Sequence, residues 1–156
     1  MRITSIRVYA DTSVFGGVFD PEFERASREF FDEVRSRRFR LVISAPVRDE
    51  LARAPAQVRE LLSDMAEYVE AVEATVEAVA LRRAYLDAGV VSSRYATDAL
   101  HVAVATVTGC EVIVSWNFRH IVNFERIPMY NKINAVNGYN PIAIYSPLEV
   151  LADEEG

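Results

Sequence analysis

Three carboxylates close apolar segments of this chain, and an acid in such a place needs a partner. Asp11 ends Ser5-Ile-Arg-Val-Tyr-Ala-Asp11, Glu50 ends Leu41-Val-Ile-Ser-Ala-Pro-Val-Arg-Asp-Glu50, and Asp98 lies inside Ala96-Thr-Asp-Ala-Leu-His-Val-Ala-Val-Ala105. A carboxylate taken out of water is costly unless a hydrogen-bond donor, a proton or a cation meets it. If the fold brings the three together, a divalent cation suits them, and the chemistry open to such a site is metal-assisted hydrolysis.

The elements around these acids must do the positioning. Short β-branched runs at Ile6–Ala10, Arg40–Ser44, Glu111–Ser115 and Ile142–Tyr145 read as strands. Between them, apolar residues at helical spacing predict helices over Pro21–Arg38, Pro46–Ala54, Glu60–Glu67, Glu73–Asp87, Tyr95–Thr108 and Arg126–Val136, with a last turn at Pro147–Leu151. The alternation predicts an α/β three-layer sandwich: a central, mostly parallel sheet of four or five strands with helices on both faces. Residues 1–150 read as a single domain and 151–156 as a short acidic tail. In open α/β sheets ligands gather beyond the carboxyl ends of the strands. Asp11 directly follows the first strand, Glu50 lies in the first turns after the second, and Asn117 lies two residues past the third.

Composition narrows the function classes. The chain has 156 residues, of which 51% are hydrophobic, enough for a real core. A net charge of −6 argues against tight binding of nucleic acid through phosphates alone, though not against an enzyme that meets nucleic acid through a bound metal. The single cysteine, Cys110, excludes an internal disulfide and fits a reducing cytoplasm. Met1–Ser5 leads straight into a strand, so a signal peptide is not expected, and no apolar run reaches the roughly 20 residues of a membrane span.

Each acid also has a plain structural explanation. Asp11 begins Asp-Thr-Ser-Val-Phe-Gly-Gly17, where an aspartate can simply cap a tight turn. Glu50 competes with Asp49. Val47, Glu50, Leu51 and Ala54 fall at i, i+3, i+4 and i+7, which places Glu50 at the border of the packed face and Asp49 in solvent. Asp98 is in the first turn of a helix apolar on nearly all sides, where the helix dipole favours an anion. His101, at i+3 from Asp98, is a candidate to pair with it. Trp116 and Phe118 read as core. Tyr85, Tyr95, Tyr130, Tyr139 and Tyr145 read mostly as core or interface, and any left exposed are candidates for a homodimer patch. Arg35, Arg37, Arg38 and Arg40 precede the second strand, at the sheet edge opposite the acids. Arg48, Arg94 and Arg119 each lie near an acidic motif, where they can contact phosphate or pair with the acids themselves.

Four motifs in order resemble the PIN-domain ribonuclease family over nearly the whole chain: Tyr9-Ala-Asp11-Thr-Ser13, Ser44-Ala-Pro-Val-Arg-Asp-Glu50-Leu, Thr97-Asp98-Ala-Leu-His101-Val-Ala-Val-Ala105, and Val112-Ile-Val-Ser115-Trp-Asn117-Phe. At this length the chain is similar to the VapC-like toxins of type II toxin–antitoxin pairs. The resemblance implies a PIN fold and cytoplasmic phosphodiester hydrolysis of RNA with Mg²⁺ or Mn²⁺. It implies Asp11 and Asp98 as principal ligands and Glu50 as a direct or water-mediated one. Ser13 and Ser115 would orient water or phosphate, and an antitoxin and a second copy of the chain would be partners. The chain departs from the family at Asn117, where aspartate is common. An amide oxygen still ligates but adds no charge, so one ion is expected and a second is held less firmly. That departure keeps a PIN-like binding module without strong catalysis as an alternative. A phosphatase using Asp11 as nucleophile is the more distant one, because that chemistry wants a second aspartate where Ser13 stands.

Overall fold

The computed structural model describes residues 5–152. Five strands form one sheet: β1 Ile6–Ala10, β2 Phe39–Ser44, β3 Val69–Val72, β4 Val112–Val114 and β5 Ala143–Tyr145. Their spatial order is β3-β2-β1-β4-β5, and every neighbouring pair is parallel. A parallel sheet is covered on both faces, so its inner strands are apolar throughout. β4 obeys this along its length and β1 over its last three residues, with Val8, Tyr9, Ala10, Val112, Ile113 and Val114 all buried.

The helices are α1 Thr12–Gly17, α2 Glu24–Arg35, α3 Ala45–Ala52, α4 Ala56–Met65, α5 Val76–Asp87, α6 Ala96–Val107, α7 Arg126–Val136 and α8 Pro147–Ala152. α5 packs along α6 and α7, while α2 packs on β2 and α8. α6 is the buried helix its composition predicts: Ala99, Val102, Ala103, Val104 and Ala105 are fully enclosed. The three-layer α/β architecture is therefore present with five strands.

Two elements differ from expectation. β3 fills the stretch between two predicted helices and pairs Val69–Val72 with Leu41–Ser44. α1 occupies the segment read as a tight turn. Helix ends also move: α2 is shorter than Pro21–Arg38, α4 starts at Ala56 and stops at Met65, and α5 starts at Val76. α8 takes in Leu151 and Ala152, which shortens the expected tail; the rest of that tail lies outside the described residues.

The chain runs outward from β1 through β2 to β3, then returns to place β4 on the other side of β1. The reversal opens a crevice between the carboxyl ends of β1 and β4. Asp11 and Ser115 stand at those two ends.

Candidate functional site

Asp11 is the N-cap of α1 and is 5% exposed. Its Oδ1 accepts from the Ser13 backbone N–H at 3.1 Å and from the Ser13 hydroxyl. Its Oδ2 accepts from Ser115 Oγ at 2.7 Å across the crevice. Asp11 therefore caps α1, and three donors hold the buried carboxylate and fix its direction. Ser13 Oγ also accepts from the Trp116 N–H at 2.9 Å, and Ser115 Oγ from the Asn117 N–H at 2.9 Å. The two serine hydroxyls lie 3.4 Å apart.

Asn117 turns the chain after β4. Its Oδ1 accepts from the N–H groups of Arg119 and His120 at 3.1 and 3.0 Å. The side-chain oxygen that a cation would use is engaged in capping this turn. At the end of the turn, His120 Nδ1 lies 3.0 Å from Asp98 Oδ2. The loop from Ser115 to His120 thus grips Asp11 at one end and Asp98 at the other.

His120 is itself held from several sides. Tyr95 stacks on its ring at 3.8 Å, Arg94 lies over Tyr95 at 5.9 Å, and the Tyr130 hydroxyl donates to the His120 carbonyl at 2.7 Å. Sequence spacing pointed to His101 as the partner of Asp98. His101 instead turns into the core, where its Nδ1 lies 2.8 Å from the Tyr9 hydroxyl. The role of His120 was missed. The available signal was that the chain has 2 histidines, one in the third motif and one two residues past the fourth.

Glu50 sits on α3 and is exposed, as is Asp49; the packed residues of that helix are Val47 and Leu51. The border position expected for Glu50 is on the solvent side. The two acids still differ: burial pushes the Tyr9 phenol well above its ordinary range, and Asp11 and Glu50 both add to that push. Among the described residues, no three His, Cys, Asp or Glu side chains stand together as a ready ligand set for a metal.

Arg48, Arg94 and Arg119 are exposed, and none of them has an ionic partner among the described residues. The other arginine cluster is engaged at the far edge: Arg35 with Asp32, Arg37 with Glu67, Arg38 with Glu33 and Arg40 with Glu70. Trp116 is buried, stacks on Phe23 at 4.2 Å and donates from Nε1 to Ser27 Oγ at 2.8 Å. Phe118, expected in the core, is 49% exposed because the turn capped by Asn117 points it outward. Tyr95, Tyr139 and Tyr145 are only partly exposed.

The family model for the PIN domain matches residues 8–124, three quarters of the chain and all four motifs. The chain belongs to the PIN-domain family. Two solved structures share the fold of this PIN domain. VapBC2 from Rickettsia felis, crystallised with a DNA fragment from its promoter, aligns with a TM-score of 0.59 at 13% identity, covering 90% of this chain and 98% of that one. FitAcB from Neisseria gonorrhoeae aligns with a TM-score of 0.51 at 13% identity over the same shares. Comparison with curated protein sequences gives no match. No helix among the described residues of this PIN domain is long and apolar enough to cross a membrane.

Proposed function

We propose that this PIN domain is a divalent-metal-dependent endoribonuclease that acts as the toxin of a toxin–antitoxin pair. The observation that supports the reading is the loop Ser115–His120, which starts beside the switch point of the sheet and hydrogen-bonds Asp11 at one end and Asp98 at the other. The donor set fits a hard cation, since the crevice offers carboxylate and hydroxyl oxygens and no thiolate. Asp11 and Asp98 would hold the ion, with Glu50 completing its shell from the rim. When bound, Mg²⁺ or Mn²⁺ lowers the pKa of a coordinated water and neutralises charge on the phosphate.

The chain's own residues prepare that chemistry. Ser13 and Ser115 aim both oxygens of Asp11. His120 fixes the rotamer of Asp98. Arg48, Arg94 and Arg119 are exposed and without ionic partners among the described residues, and they would counter the repulsion that a net charge of −6 imposes on an RNA backbone. An antitoxin would have to shield this same acidic crevice. Such complexes form in the cytoplasm, and we expect the toxin to be a homodimer, which light scattering would test. The deciding experiment is cleavage of single-stranded RNA and tRNA with Mg²⁺ or Mn²⁺, comparing wild type with Asp11→Asn and Asp98→Asn. Loss of about 100-fold or more in either variant supports the reading. Undiminished cleavage in both would overturn it.

Asn117 favours a second reading, a PIN-like RNA- or protein-binding module with little catalysis. Its amide oxygen is neutral and already accepts two backbone N–H groups. Calorimetric titration with Mn²⁺ separates the two: binding abolished by Asp11→Asn speaks for the nuclease, and no binding speaks for the module.

A further inference from the structure

We infer that the Tyr9 hydroxyl is the positioning node of the acidic site, setting the three elements that carry Asp11, Glu50 and Asp98 at fixed mutual distance; this rests on the nuclease reading above. Tyr9 is fully buried in the central strand β1, two residues before Asp11. Its hydroxyl donates to Ser44 Oγ at 2.9 Å and meets His101 Nδ1 at 2.8 Å. Ser44 ends β2 and is the N-cap of α3, its Oγ accepting from the Val47 N–H at 3.2 Å. α3 carries Glu50. His101 lies one turn beyond Asp98 on α6. One oxygen therefore joins three elements, and each of those elements presents one of the three acids.

The geometry explains why the node is polar. Tyr9, Ser44 and His101 are all buried where an apolar contact would pack as well. A buried hydrogen-bond network gains little net stability over apolar packing, but its directionality permits one arrangement. Helices resting on a sheet through apolar contacts alone can slide by fractions of an ångström, which a metal ligand set does not tolerate. The hydroxyl pins α3 and α6 to β1 against that sliding. With the Tyr9 O–H directed at Ser44, the oxygen accepts from the His101 Nδ1–H, and all the polar atoms are satisfied, as they are throughout the described core.

The experiment compares Tyr9→Phe with Tyr85→Phe in the full chain. Tyr85 is a second fully buried tyrosine whose hydroxyl bonds to Asn134 of α7, which in turn reaches Thr106 at the end of α6 opposite Asp98. Mn²⁺ affinity by calorimetry, RNA cleavage at saturating Mn²⁺ and thermal midpoint are measured for each. Tyr9→Phe is expected to weaken Mn²⁺ binding about tenfold and to lower kcat while KM for RNA stays within about twofold. Tyr85→Phe is expected to lower the thermal midpoint comparably and leave Mn²⁺ affinity unchanged. Should Tyr9→Phe fail to fold, His101→Asn, whose amide reaches the Nδ1 position, is expected to retain affinity that His101→Leu loses. Wild-type protein that binds Mn²⁺ no better than Tyr9→Phe, or His101→Leu that binds as well as His101→Asn, overturns the node and leaves the nuclease reading standing. Wild type that neither binds Mn²⁺ nor cleaves RNA overturns both.

Discussion

Nδ1 of His120 lies 3.0 Å from Oδ2 of Asp98, a contact that spans 22 residues of chain and closes the loop after β4 onto the start of α6. The ring cannot easily leave: Tyr95 covers one face and the backbone carbonyl of His120 is held by Tyr130. Asp98 keeps about a quarter of its side chain exposed, so without the histidine it would sample several rotamers. On the proposed nuclease reading, in which Asp98 would hold the metal, His120→Ala is expected to lower kcat/KM for RNA about 10- to 100-fold, the usual cost of removing a group that orients a ligand. Circular dichroism should show the fold retained, since Tyr130 bonds to backbone that the substitution keeps.

Gly17 ends α1 beneath the indole of Trp116. A Cβ added there would lie 2.5 Å from Ser27 Oγ and 2.7 Å from Trp116 Nε1. Those two atoms form the hydrogen bond that seats the indole, so neither can yield without breaking it. Gly17→Ala is expected to destabilise the protein by about 1–3 kcal/mol. The chain has 1 tryptophan, so its emission reports the displacement directly, and a red shift in the folded state is the expected signature.

Much of this arrangement is readable in the residues. β1 and β2 announce themselves because β-branched apolar residues have no other use at that length, and α6 because it is apolar on nearly every side. The position of Asp11 at the carboxyl end of β1, of Glu50 on α3 and of Asp98 in the first turn of α6 follows from those elements. β3 was not readable: Val69-Glu-Ala-Val72 has two poor strand formers, and its pairing with Leu41–Ser44 alone makes it a strand. α1 hid behind Gly16 and Gly17, which read as turn residues. The partner of Asp98 was misread for a geometric reason. Residues at i and i+3 sit about 60° apart around a helix, enough for Asp98 to face the loop while His101 faces Tyr9. Glu50 was placed on the right helix and nearer the packed face than it lies.

Arg37 adopts φ 68°, the one non-glycine residue among those described in the left-handed region. It follows the C-cap of α2, with the Arg37 N–H donating to the Val34 carbonyl and the Arg38 N–H to that of Glu33. That pattern is a Schellman ending, where glycine is preferred because no Cβ meets the backbone. Arg37 also lies over the Tyr68 ring at 4.9 Å and near Glu67 at 4.0 Å, exposed contacts that partly offset the strain. Comparing Arg37→Gly with Arg37→Ala removes those contacts from both sides. The glycine variant is expected to be more stable than the alanine variant by about 1 kcal/mol in urea unfolding.

Tyr9, Tyr85 and Tyr130 are all fully buried, and burial raises each phenol above its ordinary range. A phenol raised in the folded state stays protonated there after its unfolded counterpart has ionised. The stability these groups contribute is therefore complete below about pH 10, the unfolded value, and is lost as pH climbs through the interval up to the folded one. Each group should remove about 1.4 kcal/mol of stability per pH unit in that interval. Urea midpoints should be flat with respect to these tyrosines from pH 8 to about 9.5 and then fall steeply. Tyr130→Phe deletes one of the three phenols, so the tyrosine part of the fall above pH 10 should lose about a third of its slope in that variant, while the Cys110 thiol, which burial also raises, adds a loss of the same sign to both proteins. A slope unchanged by the substitution would show that the phenol of Tyr130 ionises alike in the folded and unfolded chain, which its burial against Tyr85 and the His120 carbonyl opposes.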